Sequence, residues 1–328
     1  MKRKMQRNIR HIAALCGAAL TPLWSRKRWH TVWVVNAGDR KMADAYLPRW
    51  AQDFYKYRDP AMIAGVFHAP GAGTSLVCGS ILTNQELSDH PELLEVMMAS
   101  VCRLRAKRIS FAGIIPSLLH KHDLWPDDPR LIRGQKATRF MLLENLREIQ
   151  RHHGARSVCV VGVGHTGTQI ANDFAQAGFD VSARDVRDEA ADQLVGVQFV
   201  GMDAEAAAAA DVVTLLSTDG DSIISLLPHL RPGQVVLADT HPKMRPEVVG
   251  KLHAQGVVVY ESALTYPGLR FLPKMPHWRH DTIPGCVGQA FVEASQTYDP
   301  AITFDDNARK VLRARLDRPE SSGEQRIK

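Results

Sequence analysis

Apolar positions along this chain follow two rhythms in turn, and the sharpest change between them falls within Ser157–Asp185. Val158–Cys159–Val160–Val161 is an unbroken apolar run, as expected of a strand buried on both faces of a parallel sheet. Three glycines follow: Gly162, Gly164 and Gly167 form G-x-G-x-x-G, with His165 and Thr166 between the second and third. From Ile170 the spacing turns helical, with Ile170, Phe174 and Ala177 on one face, Gly178 ending the turn, and Asp180–Ala183 starting a second strand. The alternation then continues. Strands at Gln198–Val200, Val212–Leu216, Val235–Ala238 and Val257–Tyr260 are separated by helices at Ala204–Ala210, Ser222–Leu227 and Pro246–Gln255. This predicts an α/β fold with a doubly wound Rossmann sheet, whose ligand lies at the C-terminal ends of the strands.

Upstream the pattern predicts a smaller α/β domain. Thr31–Val35, Ala61–Phe67 and Ile109–Ile115 read as strands, and Met42–Phe54 and Glu92–Ala106 as helices. Gly71–Ala72–Gly73 reads as a hairpin turn before Ser75–Val77, because no G-K-[ST] follows to make it a phosphate loop. The proline-containing stretch His120–Pro129 marks a crossing between domains, and Leu131–Gln150 a long helix leading into the Val158 strand. After Ser262 the alternation stops. Leu272–Thr282 reads as an irregular loop, and Pro284–Gly285–Cys286 opens a helix to about Thr297. The expected organisation is a basic leader at 1–30, an N-terminal substrate domain at 31–130 and the cofactor domain with its leading helix at 131–265. A loop and helix carrying Cys286 back to the cleft follow at 266–304, then a charged tail at 305–328.

The net charge of +6 does not indicate a nucleic-acid groove. Met1–His30 holds eight Lys/Arg and no acid, so the remaining residues carry −2. The leader's apolar stretch Ile12–Leu20 is too short to span a bilayer. An amphipathic helix making peripheral membrane contact and a disordered extension both fit it, and the expected location is cytoplasmic, where the cofactor pool is. Five cysteines, odd in number and far apart, fit reduced thiols. His120, His122, His152 and His153 lack the spacing of metal ligands, and no metal is expected.

The glycines carry the chemistry. The first permits a tight turn, the second lets a pyrophosphate approach the backbone, and the third lets the helix pack on the strand, leaving helix N–H groups facing the phosphates. Ser217 and the segment Asp239–Lys243 fall at two further strand ends and should line the cofactor cleft. The signals for the ribose conflict. Asp185, 23 residues after Gly162, stands where an acid bonds the 2′-hydroxyl of NAD, but Arg184 and Arg187 flank it and suit a 2′-phosphate. NADP is the expected cofactor and NAD the alternative.

Cys286 follows Pro284–Gly285 at a helix start, where the dipole and free N–H groups lower a thiol pKa and can hold an oxyanion; a buried small hydrophobe is the plainer alternative. Lys243 reads equally as a solvent-facing loop lysine or as a cation at the cleft, and His241 as a proton donor or a hydrogen-bonded loop histidine.

Four segments resemble the cyanobacterial long-chain acyl-carrier-protein reductases. Ser110–Leu124 (SFAGIIPSLLHKHDL) resembles that family's ALGGFTS segment with the F-E-N-F-D-L after it, and Leu131–Phe140 (LIRGQKATRF) its TTGN-T-x-T-A helix start. Asp239–Lys243 (DTHPK) is similar to its D-G-G-Y-P-K loop, and Pro284–Ala290 (PGCVGQA) to its A-C-x-A-E segment. The resemblance implies NADPH-dependent reduction of an acyl thioester to a fatty aldehyde, with Cys286 as nucleophile and an acyl carrier protein or acyl-coenzyme A as partner. Arg133, Gln135 and Gln289 stand where the family has Thr, Asn and Glu. Two other readings stay open: a β-hydroxyacid or imine type NAD(P) dehydrogenase, because Val158–Tyr260 fits those domains too, and a cofactor-binding regulator without catalysis.

Overall fold

The computed structural model describes residues 28–55, 62–71, 73–272 and 281–319. The expectations for the basic leader, for most of the 272–282 loop and for the last residues of the tail lie outside them. The chain divides into two compact units, Met1–Thr138 with Leu264–Arg313 and Arg139–Ala263 with Ala314–Lys328.

The first unit is laid on β1 (Arg28–Gly38), β2 (Met62–Ala69), β3 (Gly73–Thr83), β4 (Arg105–Phe111) and β5 (Leu131–Ile132). β3 and β4 flank β1 in parallel, β5 continues in parallel from β4, and β2 folds back on β3 as a hairpin with Gly71 at φ +78°. Val32 and Val34 of β1 project into a core with Leu76, Ile109 and Phe111, covered by Leu94 and Met97 of the helix Glu92–Cys102 and Leu118 and Leu119 of the helix Ile115–Lys121. Burying each such side chain stabilises the fold by about 1.5–3 kcal/mol.

Prolines and glycines redraw three expected elements here. Met42–Phe54 is two helices, Arg40–Tyr46 and Arg49–Tyr55, with Pro48 between them. The strand expected to end at Ile115 stops at Phe111, and Pro116 falls in the first turn of the next helix, where a missing N–H costs nothing. Leu131–Ile132 pairs with β4, and Gly134 at φ +77° delays the long helix, which runs Gln135–His153.

The second unit contains β6 (Ser157–Val161), β7 (Asp180–Arg184), β8 (Gln198–Phe199), β9 (Val212–Leu215), β10 (Val235–Ala238) and β11 (Val258–Thr265). They lie in the order β11-β10-β9-β6-β7-β8, all parallel. Connections leave β6 towards β7 and β9 towards β10, so the order reverses between β6 and β9. This is a Rossmann sheet. Cys159, Val161, Val213, Leu215 and Val236 form its core with Ile223, Leu226, Val248 and Leu252 from the helical segments Gly220–His229 and Pro246–Ala254. The guanidinium of Arg139 grips Asp173 with Nε–Oδ2 at 2.5 Å and Nη2–Oδ1 at 2.6 Å, tying the long helix to the helix His165–Gln176.

From Leu264 to Arg313 the chain is again part of the first unit. β12 (Arg270–Leu272) pairs antiparallel with β2, and β13 (Thr282–Ile283) with Leu264 and Thr265. The helix Gly285–Ala294 packs on β4 and β1, its Phe291 stacked on Phe67 at 5.1 Å between ring centroids. Within the expected tail the chain forms a helix, Phe304–Val311, and a strand, β14 (Arg313–Asp317). Thr303 caps that helix, and the buried amide of Asn307 bonds the backbone of Asp299 in both directions, at 2.9 and 2.7 Å. A reading of apolar faces cannot see an element held by a buried amide. Among the described residues no helix is long and apolar enough to cross a membrane.

Candidate functional site at the glycine loop

The loop after β6 has the geometry its three glycines require. Gly162 is at φ +95°, donates its N–H to Arg184 O at 2.9 Å, and leaves no room for a side chain: a Cβ there would lie 2.8 Å from Ser217 N. A Cβ on Gly167 would run into the carbonyl oxygen of Gly162, so the first turn of the helix sits directly on the loop. Gly164 differs. It is the N-cap of His165–Gln176, makes no side-chain cap bond, and a Cβ there would meet only Arg187 Nη2, at 3.8 Å. The space over Gly164 is open, and the first-turn N–H groups face it. Thr168 closes the loop from below, its hydroxyl donating to Val163 O at 2.9 Å. His165 is exposed and Thr166 half-buried beside the opening. These residues fit a dinucleotide pyrophosphate.

The end of β7 holds three charges. Asp185 accepts from the backbone N–H of Arg187 at 3.0 Å and from its Nε at 3.1 Å, so the acid faces Arg187. Asp185 is almost buried, at 8% side-chain exposure, and Arg187 is open, at 57%. The pairing with Asp185 raises the guanidinium's pKa further. Arg184 is buried, at 6% exposure, and its Nε makes no hydrogen bond. Beneath it Cys159 is inert, its thiol pushed up to about 11 by burial.

Across the switch point, Ser217 follows β9. Its hydroxyl lies 2.6 Å from that of Ser222 and donates to Asp219 O at 2.9 Å. After β10 the chain runs Asp239–Thr240–His241–Pro242–Lys243, with the His241–Pro242 bond cis. Lys243 pairs with Glu261 of β11. Asp239 keeps part of its surface in solvent, but its carboxyl is withdrawn enough for desolvation to push its pKa up to about 6 against the pull of Lys243. His241 is half-buried in the same loop.

The cofactor residues expected from the sequence therefore assemble in one unit, Gly162, Gly164, His165, Thr166 and Gly167 at the loop, Arg184, Asp185 and Arg187 at β7, and Ser217 at β9. Lys243 and His241 belong to this unit. Cys286 does not. It is the second residue of the helix Gly285–Ala294 in the first unit, half-buried, with its backbone carbonyl against Gly134. Glu261 and Asp221 escaped the sequence reading, because their partners, Lys243 and Arg245, are 18 and 24 residues distant. Among the described residues no group of three His, Cys, Asp or Glu could hold a metal.

A family described as the NAD binding domain of 6-phosphogluconate dehydrogenase matches residues 157–261, the stretch from the first strand of the loop to Glu261. This is an NAD(P)-binding domain. No curated protein matches the chain. Solved structures similar to it include a D-isomer specific 2-hydroxyacid dehydrogenase from Xanthobacter autotrophicus Py2 in complex with NADPH and MES, 20% identical over 50% of this chain and 62% of that one, with a TM-score of 0.34. The 3-hydroxyisobutyrate dehydrogenase of Mycobacterium tuberculosis is 21% identical over 34% and 41%, with a TM-score of 0.28. An imine reductase variant from Myxococcus stipitatus in complex with NAD+ is 17% identical over 33% and 40%, with a TM-score of 0.28. The chain thus spans less than two thirds of the length of these three.

The family match overturns the resemblance to acyl-carrier-protein reductases. Most of that resemblance rested on short segments outside the continuous 157–261 match, and only DTHPK falls within it. Aldehyde formation through a Cys286 thioester falls with it, and the acyl partners it implied are not carried further.

Proposed function

We propose that the protein is an NAD(P)-dependent dehydrogenase that exchanges a hydride with the oxidisable carbon of a hydroxy acid or an amine. The observation that carries this reading is the loop itself: Gly162 and Gly167 are locked by contact, while Gly164 between them, at the N-terminus of the helix His165–Gln176, is open. The family match over residues 157–261 supports it. A bound nicotinamide would supply the hydride. The chain's own part is to hold the pyrophosphate on the loop, to seat the adenosine ribose at the end of β7, and to present polar groups after β9 and β10 to the reacting end. Asp185 is engaged by Arg187, which leaves guanidinium rather than carboxylate facing outwards, and this supports NADP over NAD.

The test is fluorescence titration of the full chain with NADPH and NADH, followed by turnover assays. These use NADP+ with 3-hydroxyisobutyrate, and NADPH with glyoxylate or a cyclic imine. Binding of NADPH with turnover of one of these is the expected result. Absence of binding to either cofactor overturns the reading, and binding without turnover of any probe favours a cofactor-dependent regulator.

A further inference from the structure

The reversal of strand order between β6 and β9 gives the cofactor cleft a direction. With Arg184 and Arg187 at the end of β7, the ribose end lies on that side and the nicotinamide end reaches over β9, β10 and β11. Lys243 is a cation of this half that acts on two carboxylates. Its Nζ pairs with Glu261, which lies within β11 opposite Ala238, the last residue of β10, and its charge is felt by Asp239 just after β10. The backbone beneath it is clamped on both sides. Gly220 donates its N–H to Pro242 O at 3.1 Å, and a Cβ on Gly220 would run into the backbone N of Met244. Asp221 accepts from the backbone N–H of Arg245 at 2.9 Å and from its guanidinium. Glu261 is largely covered, at 16% side-chain exposure, but Lys243 stays open, at 48%. An ion pair this exposed adds little to stability, so a purely structural staple would be a weak use of the arrangement.

We propose that Lys243 is the proton donor of the reductive half-reaction and that Glu261 is the residue that positions it. The inference rests on the dehydrogenase reading. As the hydride forms the new C–H bond at a carbonyl carbon, the C=O π pair moves to oxygen, and Lys243 Nζ gives that oxygen one proton. The products are the alcohol, the oxidised nicotinamide and a neutral amine, which regains a proton from the solvent to which the side chain is open.

The experiment compares the full chain with Lys243→Met, Lys243→Arg, Glu261→Gln and Glu261→Asp. Three readouts are taken: NADPH affinity by fluorescence, the acetylation rate of Lys243 by acetic anhydride without cofactor, followed by mass spectrometry, and glyoxylate reduction. Lys243→Met is expected to keep NADPH affinity within about twofold and to lose at least about 100-fold in kcat. Lys243→Arg should not restore it, because arginine does not release its proton. Glu261→Gln should raise Lys243 acetylation several-fold and lower kcat with KM little changed, and Glu261→Asp should recover part of the loss. Wild-type-like turnover in Lys243→Met, or unchanged acetylation in Glu261→Gln, overturns this inference and leaves the dehydrogenase reading standing. A wild-type chain that binds no NADPH, or binds it and reduces no glyoxylate, overturns the donor role as well.

Discussion

Arg187 and Asp239 are the two side chains whose settings make the sharpest demands. Asp185 spends its carboxylate on Arg187, and Arg187 Nη2 stands at the open face of Gly164, so truncation of the arginine removes a cation and releases an acid together. Arg187→Ala is therefore expected to weaken NADPH by roughly tenfold or more, the size of one lost charge-assisted bond, and to leave NADH unchanged or improved. Paired titrations of both cofactors check this, and equal losses for the two would remove the assignment to the 2′-phosphate. Asp239 bears on stability. Its carboxyl is raised from 3.8 to about 6 by desolvation, so the folded chain holds a proton that the unfolded chain releases between those values. The stability that protonated Asp239 allows is complete below the lower value and falls as pH rises through the upper one. The cost above about pH 6 is at most about 3 kcal/mol, and smaller because part of the residue meets solvent. Asp239→Asn should accordingly raise the denaturation midpoint at about pH 8 and leave it unchanged at about pH 4. A gain of equal size at both values would show that the carboxyl is not the cause.

At the scale of elements, the legible parts of the sequence are the ones whose cause is local. The loop is spelled by three glycines within six residues, and both its contacts and its opening follow from them. The pairing of Asp185 with Arg187 spans two residues, and the sequence already places both at the ribose end. The contacts that escaped are those the sheet makes. Glu261 meets Lys243 only because β11 lies beside β10 in register, Ala238 against Glu261. Pro48 and Pro116 were ambiguous for another reason. A proline ends one helix or opens the next according to which side packs, and the packing of Leu118 and Leu119 decided the second case. The loop permits a test that separates fold from ligand. Gly164→Val places its branches in open space, so the thermal midpoint of the free protein should stay within about 0.5 kcal/mol of wild type while NADPH affinity falls sharply. Gly167→Ala should do the reverse and destabilise the free protein by about 1–3 kcal/mol, because its Cβ collides with the Gly162 carbonyl. Denaturant melts without cofactor, set beside NADPH titrations, distinguish the two, and a Gly167→Ala chain as stable as wild type would show that the helix does not rest on the loop.

At the scale of the whole molecule, every group assigned to the cofactor belongs to the unit Arg139–Ala263 with Ala314–Lys328. A ligand that binds only the folded form of that unit stabilises it by mass action, about 2.7 kcal/mol at a hundredfold excess over Kd. For a unit of this size that corresponds to a rise of about 5–10 °C in its melting midpoint. Calorimetry of the full chain with saturating NADPH should show this rise, and Gly164→Val should abolish it without lowering the midpoint of the free protein. If the chain melts in two transitions, the one that moves should be the one that also responds to Gly167→Ala, since loop, helix and strand ends unfold together. A shift confined to the other transition would place the cofactor on the unit that carries Cys286, and the glycine loop would lose its role.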